Sequence, residues 1–364
     1  MTKILIKAPN WLGDCVMATP AIALLRRVFP QAVIDVLARP SVAEVYATNP
    51  HLNSLLRCDE RRMDRGMRHE IKSRRYDAAA IMPNSLNSAW SALRLGIPRR
   101  VGYARAGRRM MLTDRIPYDP CEWRTPAPKP LSRKSVPVRS SPVNTPRHMV
   151  FYYMRIAEHT ARALGQEPGE VCDDDVQLEL PTRREAEARV DALLAGRGLT
   201  GRMLVGINPG AAAGGAKRWP ADRLAAAADA LAERLGAEIV CTSIRSESAL
   251  ADMVEKRMSH PLHRLGEALD LHGTIALFGR LAVFITNDSG AMHMAAARGA
   301  PIVGVYGPTD WNVTYPWNAK AVVVRAAPPD CAPCLLRECP IDHRCMTAVT
   351  VEAVTNAAVR LARQ

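Results

Sequence analysis

The chain has 364 residues, of which 48% are hydrophobic, 23% charged and 5% aromatic, so it can bury a large core and builds that core from aliphatic side chains. At about 150 residues per domain this length predicts two domains, at most three. No apolar run reaches the roughly 18 uncharged residues of a membrane span, and the opening MTKILIKAPNWLGD lacks the apolar stretch and small-residue cleavage site of a secretory leader. Nine cysteines are too few for a disulfide scaffold of this size and odd in number, which fits a reducing cytoplasm.

The net charge of +13 is one-sided. Residues 1–150 carry 26 Lys and Arg against 11 Asp and Glu, a net +15, whereas residues 151–364 carry 23 against 25, a net −2. A bias confined to one half predicts that this half alone meets something anionic: a phosphorylated substrate, an acidic membrane surface or RNA.

In chain order, residues 3–7 (KILIK) read as a strand, a loop follows at Ala8-Pro9-Asn10, and Gly13-Asp14 opens a helical stretch, CVMATPAIALLRRVF. The rhythm repeats with a strand around Val36, a helix near SVAEVYA, a short SLLRC, a basic helix before the strand DAAAIMP, and a helix ending at Gly96. A second series runs from the strand MLVGINP through a helix at 221–235 to AEIVCTS, the helix SALADMVEKRM, AVFITND, the helix AMHMAAARG and PIVGVYG, with a closing helix after residue 346. Strands alternating with helices of this length predict right-handed crossovers and parallel sheets, hence two doubly wound, Rossmann-like α/β domains. The acidic, Pro-containing and aperiodic segment 167–181 is expected to connect a domain at 1–170 to one at 182–345. Residues 118–147, rich in Pro, Ser, Lys and Arg, are expected to form neither helix nor central strand, leaving a long basic loop.

Three loops carry candidate chemistry, because ligands of open α/β sheets bind beyond the carboxyl ends of the strands. In the first, PNWLGD, Asp14 is either a helix cap or a general base. The second, NPGAAAGGAKRWP, is glycine-rich, leads into a helix and presents Lys217; it offers backbone amides and a cation to a phosphate. It fits neither the P-loop, since Ala216 separates Gly215 from Lys217, nor the G-x-G-x-x-G dinucleotide pattern. In the third, Asn287-Asp288-Ser289-Gly290-Ala291-Met292-His293, a helix N-terminus can hold a diphosphate without a metal, and His293 comes round to the same end.

Together the NWLGDxxMxxP opening, the GGAKRWP loop and the NDSGxxHxAxxxGxPxVxxYGPT run resemble the ADP-heptose:lipopolysaccharide heptosyltransferases of glycosyltransferase family 9, over nearly the whole chain. That resemblance implies a GT-B architecture, with the acceptor on the N-terminal domain and the nucleotide sugar on the C-terminal one. It implies transfer of L-glycero-D-manno-heptose from ADP-heptose, with inversion, onto a heptose of the lipopolysaccharide inner core; the alternative is the family member that adds the first heptose. It places the catalytic base at Asp14, a donor-phosphate Lys at Lys217, an Asp-Ser-Gly turn at Asp288, Ser289 and Gly290, and a phosphate-side His at His293. The ribose-binding carboxylate falls loosely on Glu247, with Ser243 close by. No cofactor or metal is expected. The implied partners are the ADP-heptose donor, an anionic lipid-linked acceptor and the cytoplasmic face of the inner membrane, and the basic residues Lys129, Arg133 and Lys134 are the candidate acceptor contacts.

Two features lie outside this picture. The spacing Cys331-x2-Cys334-x4-Cys339-x5-Cys345, with His343 nearby, fits a metal site, free thiols or a facultative disulfide. A non-catalytic RNA-binding α/β protein is the reading of another class; against it, the basic half has no strand of interleaved basic and aromatic residues, so nucleic acid is not expected as a partner.

Overall fold

The computed structural model describes residues 1–59, 63–123, 147–173, 176–317 and 320–364. They form two units, Met1–Trp123 with Arg147–Pro181, and Thr182–Gln364. The first unit holds six parallel strands, β1 (Lys3–Lys7), β2 (Val33–Ala38), β3 (Ser54–Arg57), β4 (Ala78–Ile81), β5 (Arg99–Tyr103) and β6 (Asp114–Ile116), in the order β3-β2-β1-β4-β5-β6. Ile4, Leu5 and Ile6 of the central strand are wholly buried, as expected where helices cover both faces. The first helical stretch is not continuous: it divides into Leu12–Met17 and Thr19–Val28, with Pro20 in the first turn of the second helix, where its missing N–H costs nothing.

The second unit repeats the plan with β7 (Leu204–Asn208), β8 (Glu238–Cys241), β9 (Leu262–Arg264), β10 (Val283–Asn287), β11 (Ile302–Val305) and β12 (Ala321–Val324), all parallel, in the order β12-β11-β10-β7-β8-β9. Each sheet therefore reverses direction at its first strand, between β1 and β4 and between β7 and β10. These switch points are where an open α/β sheet leaves a crevice for a ligand. The closing helix Val351–Ala362 belongs to the second core, burying Val354, Ala358 and Leu361 beside Leu224 and Leu231, and Trp219 Nε1 donates to Val349 O just before it (3.2 Å).

Strands β5, β6, β9 and β12 escape the sequence pattern because they are short or charged: β5 begins Arg-Arg, β9 is only Leu-His-Arg and β12 has four residues. The helix Met149–Ala163 was likewise not among the expected elements, although eight of its residues are buried. Part of the segment expected to connect the domains packs on the first unit, where Glu179 N–H donates to Thr19 Oγ1 (3.0 Å) and Thr48 Oγ1 to Pro181 O (2.6 Å). The stretch 118–147 does contain a short helix, Pro120–Trp123, contrary to expectation; a proline at the first helical position supplies the right φ. Residues 124–146, with Lys129, Arg133 and Lys134, lie outside the described residues.

Candidate active site

In the first unit, the loop after β1 delivers Asp14 into the first turn of Leu12–Met17. It is not the cap: Trp11 holds that position, with no side-chain hydrogen bond. Asp14 is half-buried, and its Oδ1 accepts a 2.8 Å hydrogen bond from Tyr153 Oη, on the helix Met149–Ala163. Burial first, and then the Asp14 charge, raise the Tyr153 hydroxyl well above its ordinary value, so it stays a neutral donor. The carboxylate is thus aimed by a residue 139 positions away, which no local motif reveals. Across the same switch point, buried Arg108 donates from Nε to Tyr103 O (2.8 Å), from Nη1 to Pro83 O and from Nη2 to Asn84 Oδ1 (3.1 Å), which also accepts from Tyr152 Oη (2.6 Å). Burial lowers the Arg108 guanidinium to about 10, still cationic at neutral pH, and it fixes the turn after β4.

In the second unit, the other two loops meet at the β7/β10 switch point. Asn287, at the end of β10, stitches them: its Oδ1 accepts from Trp219 N–H (2.9 Å) and its Nδ2 donates to the carbonyls of Pro209 and Gly210 (3.2 Å each). This brings Lys217 to Asp288, Nζ to Oδ2 at 2.8 Å, with the carboxylate side chain 6% exposed and that of the lysine 21%. Such a pair holds the ammonium in one place and leaves its outer side to a further anion.

His293 lies on the helix Gly290–Ala297, wholly buried, and burial lowers it from the ordinary 6.5 to about 4, against the opposing pull of Asp288. It is therefore neutral at physiological pH and can act only as a hydrogen-bonding imidazole; its Nδ1 has no partner among the described residues. Ser289 holds the N-cap position of this helix without a side-chain cap hydrogen bond, its Oγ lying 3.3 Å from Thr286 Oγ1, so no side chain covers the first-turn amides as a cap. Glu247 comes to the same mouth: a Cβ on Gly210 would sit 2.4 Å from its Oε1, and only a glycine there lets the carboxylate approach. Burial raises the Glu247 carboxyl, with Arg218 opposing. Ser243 is buried at the end of β8, 3.4 Å from Cys241 Sγ.

The glycine-rich loop departs from the expectation that its amides face a phosphate. Gly215 N–H donates to Glu338 Oε1 (3.0 Å) and Ala216 N–H to Arg337 O (2.9 Å), so two of them are engaged by the cysteine-containing segment. In that segment Cys331, Cys334, Cys339 and buried Cys345 are free thiols, and burial together with the neighbouring sulfurs pushes Cys345 up to about 11. Among the described residues no three His, Cys, Asp or Glu side chains are gathered closely enough to hold a metal ion.

Two doubly wound parallel sheets in one chain are the plan of the GT-B glycosyltransferases, the class to which this fold belongs. Residues 65–127 and 132–344 match glycosyltransferase family 9 (heptosyltransferase). The chain is 29% identical over 337 residues to lipopolysaccharide heptosyltransferase 2 of Salmonella typhimurium, covering 89% of this chain and 88% of the relative. The solved structure of Escherichia coli ADP-heptose lipopolysaccharide heptosyltransferase II superposes with a TM-score of 0.79 at 25% identity, over 100% of this chain and 99% of that one. A family 9 glycosyltransferase structure from Veillonella parvula shares the fold, with a TM-score of 0.75 at 22% identity over 100% and 97% of the two chains. The chain belongs to glycosyltransferase family 9, the heptosyltransferases, and is an enzyme that transfers a glycosyl group.

Proposed function

We propose that the enzyme transfers L-glycero-D-manno-heptose from ADP-heptose to the heptose of a heptosyl-Kdo2-lipid A acceptor, the second heptose addition of the lipopolysaccharide inner core. The observation that carries this choice within the family is the near full-length similarity to a lipopolysaccharide heptosyltransferase 2. In this reading the second unit takes the donor. Departure of ADP puts negative charge on its β-phosphate, which Lys217, the first turn of Gly290–Ala297 and the neutral imidazole of His293 stabilise. Asp288 holds Lys217 in position, and Glu247, with Ser243 near, meets the ribose hydroxyls. The first unit takes the acceptor, whose attacking hydroxyl gives its proton to Asp14 as it attacks the anomeric carbon from the face opposite ADP, which inverts that carbon.

The excess positive charge of residues 1–150 fits an acceptor bearing phosphates and carboxylates at the cytoplasmic face of the inner membrane. No helix among the described residues is long and apolar enough to cross a membrane, so in this reading the enzyme meets the lipid from the surface. The experiment is a transfer assay with ADP-heptose against two acceptors, Kdo2-lipid A and heptosyl-Kdo2-lipid A, with products weighed by mass spectrometry. One added heptose on the second acceptor only is expected. Transfer to the first acceptor alone would assign the first addition instead.

A further inference from the structure

We propose that His343, on the cysteine-containing segment, is a positioning residue for the donor-phosphate lysine. The inference rests on the reading of Lys217 given above and extends it to a part of the chain that reading leaves unused.

Lys217 closes a one-turn 3-10 helix, Gly215–Lys217, and among the described residues the hydrogen bonds made to the backbone of this turn from outside come from residues 337–343. Arg337 O accepts from Ala216 N–H at 2.9 Å, and Glu338 Oε1 accepts from Gly215 N–H at 3.0 Å. His343 Nε2 lies 2.6 Å from Ala216 O; a carbonyl can only accept, so the ring donates there. At Gly214 the approach is close enough to dictate sequence: a Cβ there would stand 2.2 Å from Arg337 O, and the residue adopts φ 135°, open to glycine alone at low cost. The glycine that opens this turn thus admits the backbone of the neighbouring segment.

That segment is itself anchored. His343 sits at φ 59° with its N–H donating to Cys339 Sγ (3.3 Å), Leu335 N–H donates to Pro308 O (2.9 Å), and Met346 and Cys345 pack so tightly on Gly307 that a Cβ there would lie 2.4 Å from Met346 Sδ. A rigid support therefore runs from the turn after β11 to the carbonyl of Ala216, the residue just before Lys217. Asp288 fixes the ammonium at the far end of the side chain, and His343 fixes the backbone from which that side chain departs. Small losses of such placement are costly when a charge must be met in the transition state.

The test is a double-mutant cycle in the full-length enzyme: wild type, His343→Ala, Lys217→Ala and the double variant, with kcat at saturating donor and KM for each substrate. His343→Ala is expected to lower kcat on the order of tenfold with the acceptor KM unmoved, His343→Gln, which keeps a donor, to recover much of it, and the double variant to be no slower than Lys217→Ala. Additive losses, or a kcat for His343→Ala equal to wild type, overturn the proposal. Should Lys217→Ala itself leave kcat unchanged, the reading of Lys217 fails first, and the proposal with it. If His343→Ala does not fold, the Gln variant completes the cycle, its modest loss being absent in the Lys217→Ala background if His343 acts through that lysine.

Discussion

Tyr153 donates its hydroxyl to Asp14 Oδ1 at 2.8 Å, and this bond helps to aim a first-turn carboxylate. With Tyr153 buried and kept protonated, the bond cannot be replaced by solvent or switched off near neutral pH. Asp14→Asn keeps size and hydrogen bonding but cannot accept the acceptor's proton, so kcat is expected to fall about a hundredfold or more while the donor Kd stays put. Tyr153→Phe removes this bond to the carboxylate and is expected to lower kcat less, roughly tenfold, again without weakening donor binding. Steady-state kinetics and calorimetric titration of ADP check both; retention of more than about a tenth of wild-type kcat in Asp14→Asn would remove Asp14 from the chemistry.

Lys217→Ala is expected to slow transfer even at saturating ADP-heptose, because the lost charge is needed most when the leaving group departs. It also strands the nearly buried Asp288 carboxylate, so a lowered Tm should accompany the kinetic loss, and Lys217→Ala with Asp288→Asn should restore Tm but not kcat. In the proposed mechanism protein groups supply the charge stabilisation, so treatment with EDTA should leave turnover intact. Chelation that stops the reaction, with recovery on added Mg2+ or Mn2+, contradicts the proposed phosphate site.

His293 supplies a pH signature. Its imidazole titrates at 6.5 when exposed and at about 4 in the fold, so between these values the unfolded chain binds the proton more readily. This contribution to stability is complete above about pH 6.5 and is lost as pH falls toward 4, on the order of 2–3 kcal/mol at the lower end. Urea unfolding at pH 7.5 and pH 5 should show a smaller drop for His293→Gln than for wild type. An equal drop means that His293 is not held neutral by burial.

The one-sided charge predicts a one-sided salt effect. Exposed charges are screened over about 8 Å at physiological ionic strength, so raising NaCl should lift the acceptor KM and barely move that for ADP-heptose. Neutralising Lys129, Arg133 and Lys134 together should have the same selective effect at fixed salt. Equal shifts for donor and acceptor would show that the basic half takes no part in acceptor capture.

How much of this the sequence determined follows from the range of the forces involved. Apolar runs of four to seven residues and glycine- or proline-marked loops are local, so the central strands, the helix Ala221–Leu235 and the loops bearing Asp14, Lys217 and Asp288 are legible in order along the chain. The residue types that the proposed mechanism assigns to the diphosphate and to the proton are legible with them. What only the tertiary structure decided is which groups meet. Tyr153 reaches Asp14 across 139 residues, Asp288 reaches Lys217 across 71, and His343 reaches Ala216 across 127. Each of these contacts depends on the strand order of its sheet and on which neighbouring segment packs at the strand ends, and neither leaves a periodic trace. The same holds for protonation: the sequence supplies a histidine at residue 293, but only its complete burial makes that histidine neutral.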